Sequence, residues 1–175
     1  MVHVAFFRNL NLGQTRTQSP TRTVLEDAFA TAGVADVRSF QTNGTVLFEP
    51  LGRPPAQVMV SVLATLRAAS GYADIAPTQP LVEVAALVAA VRLRVDIDHS
   101  LYATFFDLAA PQAWALPGAH LDGLGTTVVA SGPGWVATQV APGGDPTSAV
   151  QARLGQRATT RGFGTLERLL AAAGR

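Results

Sequence analysis

The run Val2-His3-Val4-Ala5-Phe6-Phe7 carries apolar side chains on both of its alternating sets, with His3 the one interruption. Successive side chains of a strand point to opposite faces, so a strand of this kind is covered on both sides and sits centrally in a sheet. It stops abruptly at Arg8-Asn9-Leu10-Asn11-Leu12-Gly13, a polar loop bearing an arginine. A rigid central strand opening into such a loop is a common place for a binding site, because backbone N–H groups there are free to meet a ligand. Arg8 adds a planar fork suited to carboxylate or phosphate. The plainer alternative pairs Arg8 with a nearby aspartate and leaves the Asn and Gly residues to make a turn.

Beyond a polar connector, Ser19-Pro20 and the Thr23/Glu26 spacing mark a helix start, and Leu25, Ala28, Phe29 and Ala32 form its apolar stripe up to Gly33. Two short strands, 36–42 and 45–49, meet at Asn43-Gly44, a pair at ease with the positive φ of a tight hairpin turn. A second helix is expected from 55 to 70, stopped by Gly71, then a fourth strand at 72–76. The order βαββαβ is that of the split-βαβ or ferredoxin-like plait.

After a linker at 77–80, with prolines at both ends, come a helix at 81–93 and a looser repeat of the pattern. Its parts are a strand at 101–107, a crossing at 111–116, strands at 126–130 and 135–140 across Gly132-Pro133-Gly134, a helix at 147–154, a strand at 157–160 and a helix at 166–173. The fold class is therefore α+β, with two tandem ferredoxin-like plaits packed together, one in 1–79 and one in 80–175. No repeat is visible in the residues themselves, so this rests on element order.

Composition narrows the chemistry. A formal net charge of +1 supplies no field to draw nucleic acid or an acidic membrane surface, so anion binding must be local. All 13 basic residues are arginine, which removes Schiff-base catalysis and the phosphate-binding lysine of P-loops. The lack of cysteine excludes disulfides, thiolate nucleophiles and cysteine-bound zinc. With no signal-peptide pattern at the N-terminus, the expected location is the cytoplasm. The uncharged run 123–144 is broken by Gly132-Pro133-Gly134 and reads as two strands, not a membrane span. Charged residues are only 14%, against a usual share of about 25%, which favours hidden surface between two halves of the chain or in a homo-oligomer.

Three stretches, Phe7-Arg8-Asn9-Leu10-Asn11-Leu12-Gly13, Thr42-Asn43-Gly44-Thr45-Val46-Leu47-Phe48 and Ala158-Thr159-Thr160-Arg161-Gly162-Phe163-Gly164-Thr165, together resemble the bacterial family called domain of unknown function 1697. The family's corresponding motifs look like Leu-Arg-Gly-Ile-Asn-Val-Gly, Gln-Ser-Gly-Asn-Val-Val-Phe and Ala-Thr-Ala-Arg-Asn-Trp-Asn-Thr. The resemblance implies two ferredoxin-like halves and no particular activity. Asn9 replaces the glycine after the first arginine, Asn43 and Thr45 replace the hairpin Ser and Asn, and Gly162-Phe163-Gly164 replaces Asn-Trp-Asn, whereas Arg8, Asn11, Gly13, Gly44, Arg161 and Thr165 survive.

In a plait the end of the first strand meets the start of the third, which places Arg8, Asn11, Asn43 and Thr45 near one edge of the sheet, and Gly13 of the same loop counts with them as a ligand-binding residue. The expected function is a binding module for a small anionic or phosphorylated ligand, with Arg8 as clamp, Asn11 and the loop amides as donors, and Arg161 from the second half. The competing classes are a structural or assembly protein and an enzyme of unknown reaction. Single-stranded RNA ranks lower, because Phe6, Phe7 and Phe48 read as core and no RNA-binding consensus appears. No cofactor and no metal are expected: Asp96, Asp98 and His99 lack a second histidine at ligand spacing, His3 sits in an apolar strand, and His120 in a loop has no evident partner. No nucleophile elbow or dinucleotide glycine fingerprint is present, so no catalytic residue is assigned.

Overall fold

The computed structural model describes residues 1–14, 18–96, 100–107, 117–121 and 125–174. Among these the chain is α+β, with two four-stranded antiparallel sheets and five helices. It divides into two compact units, Met1–Leu81 and Val82–Arg175.

In the first unit β1 (His3–Phe6), β2 (Ala35–Phe40), β3 (Thr45–Glu49) and β4 (Thr78–Pro80) lie in the order β2-β3-β1-β4. The central pair runs His3 opposite Phe48 to Phe6 opposite Thr45. Both faces of β1 are closed to water, as its double apolar pattern requires: Val4, Ala5 and Phe6 have no exposed surface. Ala5 and Phe7 join Val46, Phe48, Leu25, Phe29, Val58, Val62 and Leu66 in one core with α1 (Arg22–Thr31) and α2 (Pro55–Ser70). Phe29 sits 5.2 Å from Phe48 and 6.1 Å from Phe7, ring to ring, which locks α1 onto the sheet. Gly71 ends α2 in a left-handed cap, its amide donating to Arg67 O.

Two local expectations give way. Helix α1 begins at Arg22, not Ser19, with Thr21 Oγ1 accepting from Val24 N, so Glu26 does not serve a capping box at Thr23. The fourth strand is Thr78–Pro80, not 72–76. A proline suits that place because β4 is an edge strand, with a free side that needs no donor.

In the second unit α3 (Leu81–Arg92, beginning at the boundary) precedes β5 (Leu101–Phe105), β6 (Thr126–Gly132), β7 (Trp135–Val140), α4 (Pro146–Leu154), β8 (Thr159–Gly162) and α5 (Phe163–Ala173). The strand order is β6-β7-β5-β8. The expected crossing at 111–116 lies outside the described residues. Helix α4 covers β5, β7 and β8, and Val150 shares one buried core with Phe106, Val128, Val136 and Ala158.

The two units share a local device. Phe7 N donates to Gly44 O at 2.7 Å where β1 ends, and Phe106 N donates to Gly134 O at 3.0 Å where β5 ends. Phe6-Phe7-Arg8 and Phe105-Phe106-Asp107 thus hold equivalent places, each pinned to a hairpin glycine with φ of 65° and 73°. Among the described residues no helix is long and apolar enough to cross a membrane.

Candidate functional site

The loop after β1 is fastened mostly by its own backbone. Arg8 N donates to Ile75 O, Leu12 N to Thr42 O, Gly13 N to Pro20 O and Gln14 N to Asn11 O. Asn11 N donates to Ser19 Oγ. Four of the loop amides expected to face a ligand, those of Arg8, Asn11, Leu12 and Gly13, therefore already have acceptors. Gly44 is what lets the loop approach the hairpin: a β-carbon there would lie 2.8 Å from Phe7 Cβ and 3.0 Å from Leu10 Cβ. Asn9 takes φ of 53°, which explains why the related motif carries glycine at that place and why asparagine, tolerant of the left-handed region, can stand in for it.

Arg8 is three-quarters buried and its Nη1 donates to Asp74 Oδ2 at 2.7 Å. Asn9 Nδ2 donates to the same oxygen at 3.1 Å, and Asp74 Oδ1 accepts from Ile75 N at 2.9 Å. The Tyr72 hydroxyl lies 2.6 Å from Arg8 O and 3.2 Å from Ile75 O, tying the loop from its backbone side. Among the described residues Arg8 Nε is buried without an acceptor. The cluster is neutral as a whole, and its 72–75 half comes from the stretch that sequence periodicity assigns to a strand. The signal that could have found it is Asp74 itself, a carboxylate inside an otherwise apolar segment.

The other expected residues divide. Thr45 is buried and its Oγ1 donates to Asn43 Oδ1 at 3.0 Å, so these two side chains address each other. Asn11 and Gly13 are exposed. Arg161 belongs to the second unit, where it is buried on β8 with Nη1 donating to Thr159 Oγ1 and Thr160 O, both at 2.9 Å. Among the described residues no group of three or more His, Cys, Asp or Glu is placed to hold a metal ion. Asp98 and His99 lie outside the described residues. His3 Nδ1 is 3.1 Å from Met1 O, and His120 has a partner after all, Thr127 Oγ1, at 3.0 Å from its Nδ1.

The solved structure of the conserved bacterial protein SP0830 from Streptococcus pneumoniae is similar to this chain, with a TM-score of 0.61 and 13% identity over 97% of this chain and 98% of that one. At that identity the likeness concerns the fold alone. No curated protein matches. The model of the family described as "Protein of unknown function (DUF1697)" matches residues 1–120, a stretch that takes in the Arg8 loop, the Gly44 hairpin and Asp74. The chain belongs to that family.

Proposed function

We propose that this chain is a binding module for a small anionic or phosphorylated ligand received at the loop after β1, with Arg8 as its cation and Asn11, Gly13, Asn43 and Thr45 forming the surroundings. The observation that carries the reading is Arg8 Nε, a buried donor with no acceptor among the described residues. Such a group costs about 1–3 kcal/mol, which an anionic oxygen would recover. Asp74 sets the terms. Because it already neutralises Arg8, a ligand gains only the difference between its own contacts and those of Asp74, and binding needs the guanidinium to turn from the Asp74 carboxylate towards the anionic group of the ligand.

A second reading, an internal clasp that fixes the loop, is favoured by the Tyr72 hydroxyl on Arg8 O and by Asn9 on Asp74. Thermal-shift measurements with inorganic phosphate, dicarboxylates, nucleotides and short RNA on wild type, Arg8→Ala and Asp74→Asn separate the two. The ligand reading expects a shift in wild type, a larger one in Asp74→Asn and none in Arg8→Ala. If no compound shifts any of them and both variants melt lower, the clasp is the whole role.

The fold reading that goes with this is two ferredoxin-like βαββαβ plaits in tandem. It is supported by the two strand orders, which have the first and third strands of each unit paired at the centre and the second and fourth at the edges.

A further inference from the structure

Strand β2 is an edge of the first sheet, and an edge presents unpaired N–H and C=O groups that a further strand can take up. Ser39 is where this edge should be open. In an antiparallel pair a residue's N–H and C=O point to the same side, and those of Ser39 point away from β3. Both are already taken, and not by a strand. Ser39 N donates to Glu26 Oε1 at 3.3 Å, and Ser39 O accepts from Arg22 Nη1 at 2.8 Å. Arg22 Nη2 also reaches Gln41 O, the carbonyl two residues on, at 3.3 Å.

The two side chains come from one face of α1, four residues apart, with their charged groups 3.9 Å from each other. An acid meets the N–H and a guanidinium meets the carbonyls, so the pair supplies what a neighbouring strand would supply. Towards the start of β2 the edge is blunted by a second means. The register with β3 shifts between Ala35 and Arg38, and Asp36 takes φ of 50°.

We propose that Arg22 and Glu26 mask the β2 edge, and that without them its occupant is the β2 edge of a second copy of this chain. An antiparallel edge is complementary to itself under a two-fold rotation, Ser39 N–H and C=O of one copy facing the same edge of the other. Arg22 and Glu26 are therefore guards of assembly state, a role separate from the Arg8 loop.

The test is light scattering across a concentration series on the full chain, comparing wild type, Arg22→Ala/Glu26→Ala, and that pair combined with Ser39→Pro. Alanine keeps the helix, and a proline whose missing N–H faced outward is tolerated at an edge while closing it to pairing. The double variant is expected to gain a concentration-dependent step to twice the wild-type mass, and Ser39→Pro to abolish it. Circular dichroism checks folding. If the double variant has unfolded, the single variants carry the test, since Arg22→Ala opens the two carbonyls and Glu26→Ala the amide. Folded variants with the wild-type mass at every concentration overturn the proposal. So does a wild type showing the same step, or an association that survives Ser39→Pro.

Discussion

Asp74 Oδ2 holds the Arg8 guanidinium at 2.7 Å although 66 positions separate the two in the chain. The contact closes the first unit from both ends of its sequence: Arg8 leaves the central strand β1, and Asp74 stands in the connection between α2 and β4. Both side chains are mostly buried, so removing one leaves the other without its counter-charge. Asp74 would keep Asn9 Nδ2 and Ile75 N, which limits the damage. Arg8→Ala is expected to cost about 1–3 kcal/mol in urea denaturation. Arg8→Ala/Asp74→Ala should cost less than the two single changes added together, and strict additivity would show that the pair is not coupled.

Gly44 and Gly13 both have positive φ, 65° and 79°, but only Gly44 is crowded. Among the described residues an added β-carbon at Gly13 meets nothing within 4 Å. Gly13→Ala should therefore cost only the conformational term, about 1–2 kcal/mol. Gly44→Ala adds a clash with two β-carbons that are held by their backbones, which raises the expected cost by about 1–3 kcal/mol more. Equal losses for the two variants, measured by the same urea denaturation, would mean that the hairpin and the loop can move apart freely.

Asn9 tests the same backbone in the other direction. Its φ of 53° disfavours most side chains, and its amide donates to Asp74. Asn9→Gly removes the hydrogen bond but relieves the dihedral, so the expected change is within about 1 kcal/mol of zero. Asn9→Ala loses the bond and keeps the poor dihedral, at a cost of about 1–3 kcal/mol. Glycine ranking below alanine in thermal melts would contradict this account of the position.

Legibility in the sequence followed how local the determinant was. Helix α2 and strand β3 lie where they are expected to the residue, because Pro-Pro at the start, Gly71 at the end and Asn43-Gly44 in the turn are signals carried by the elements themselves. Strand β4 is misplaced because Tyr72–Ala76 has strand-like residues, whereas Thr78–Pro80 becomes a strand only by lying beside β1. The same holds for the site. Arg8 stands out as a charge ending an apolar strand, but the identity of its partner depends on where α2 returns the chain, which no spacing within the loop encodes. Glu26 is a further case: three residues after Thr23 it looks like a cap, yet Thr21 does the capping and Glu26 reaches across to Ser39.

Asp145 gives the pH-dependent prediction. It caps α4, with Oδ1 accepting from Thr147 N at 3.0 Å and Ser148 N at 3.1 Å, and Oδ2 accepting from Ser148 Oγ at 2.6 Å. The Ser148 hydroxyl first, then the Ser148 amide and, after it, the Thr147 amide, hold its carboxyl below the ordinary carboxylate range. A carboxyl with a lower pKa folded than unfolded contributes stability that is present above the unfolded value, about 3.9, and is lost as pH falls through the folded value. The Asp145 contribution should therefore be intact at neutral pH and fade only below about pH 4. Asp145→Ala is expected to cost about 1 kcal/mol at pH 7 and much less in the acid range. Asp145→Ser, which keeps a capping oxygen but cannot ionise, should recover most of the neutral-pH stability and show a flatter pH profile. Chemical denaturation of the three proteins between pH 2.5 and pH 7 reads both effects, and a cost for Asp145→Ala that stays constant over that range would rule out the charged cap as its source.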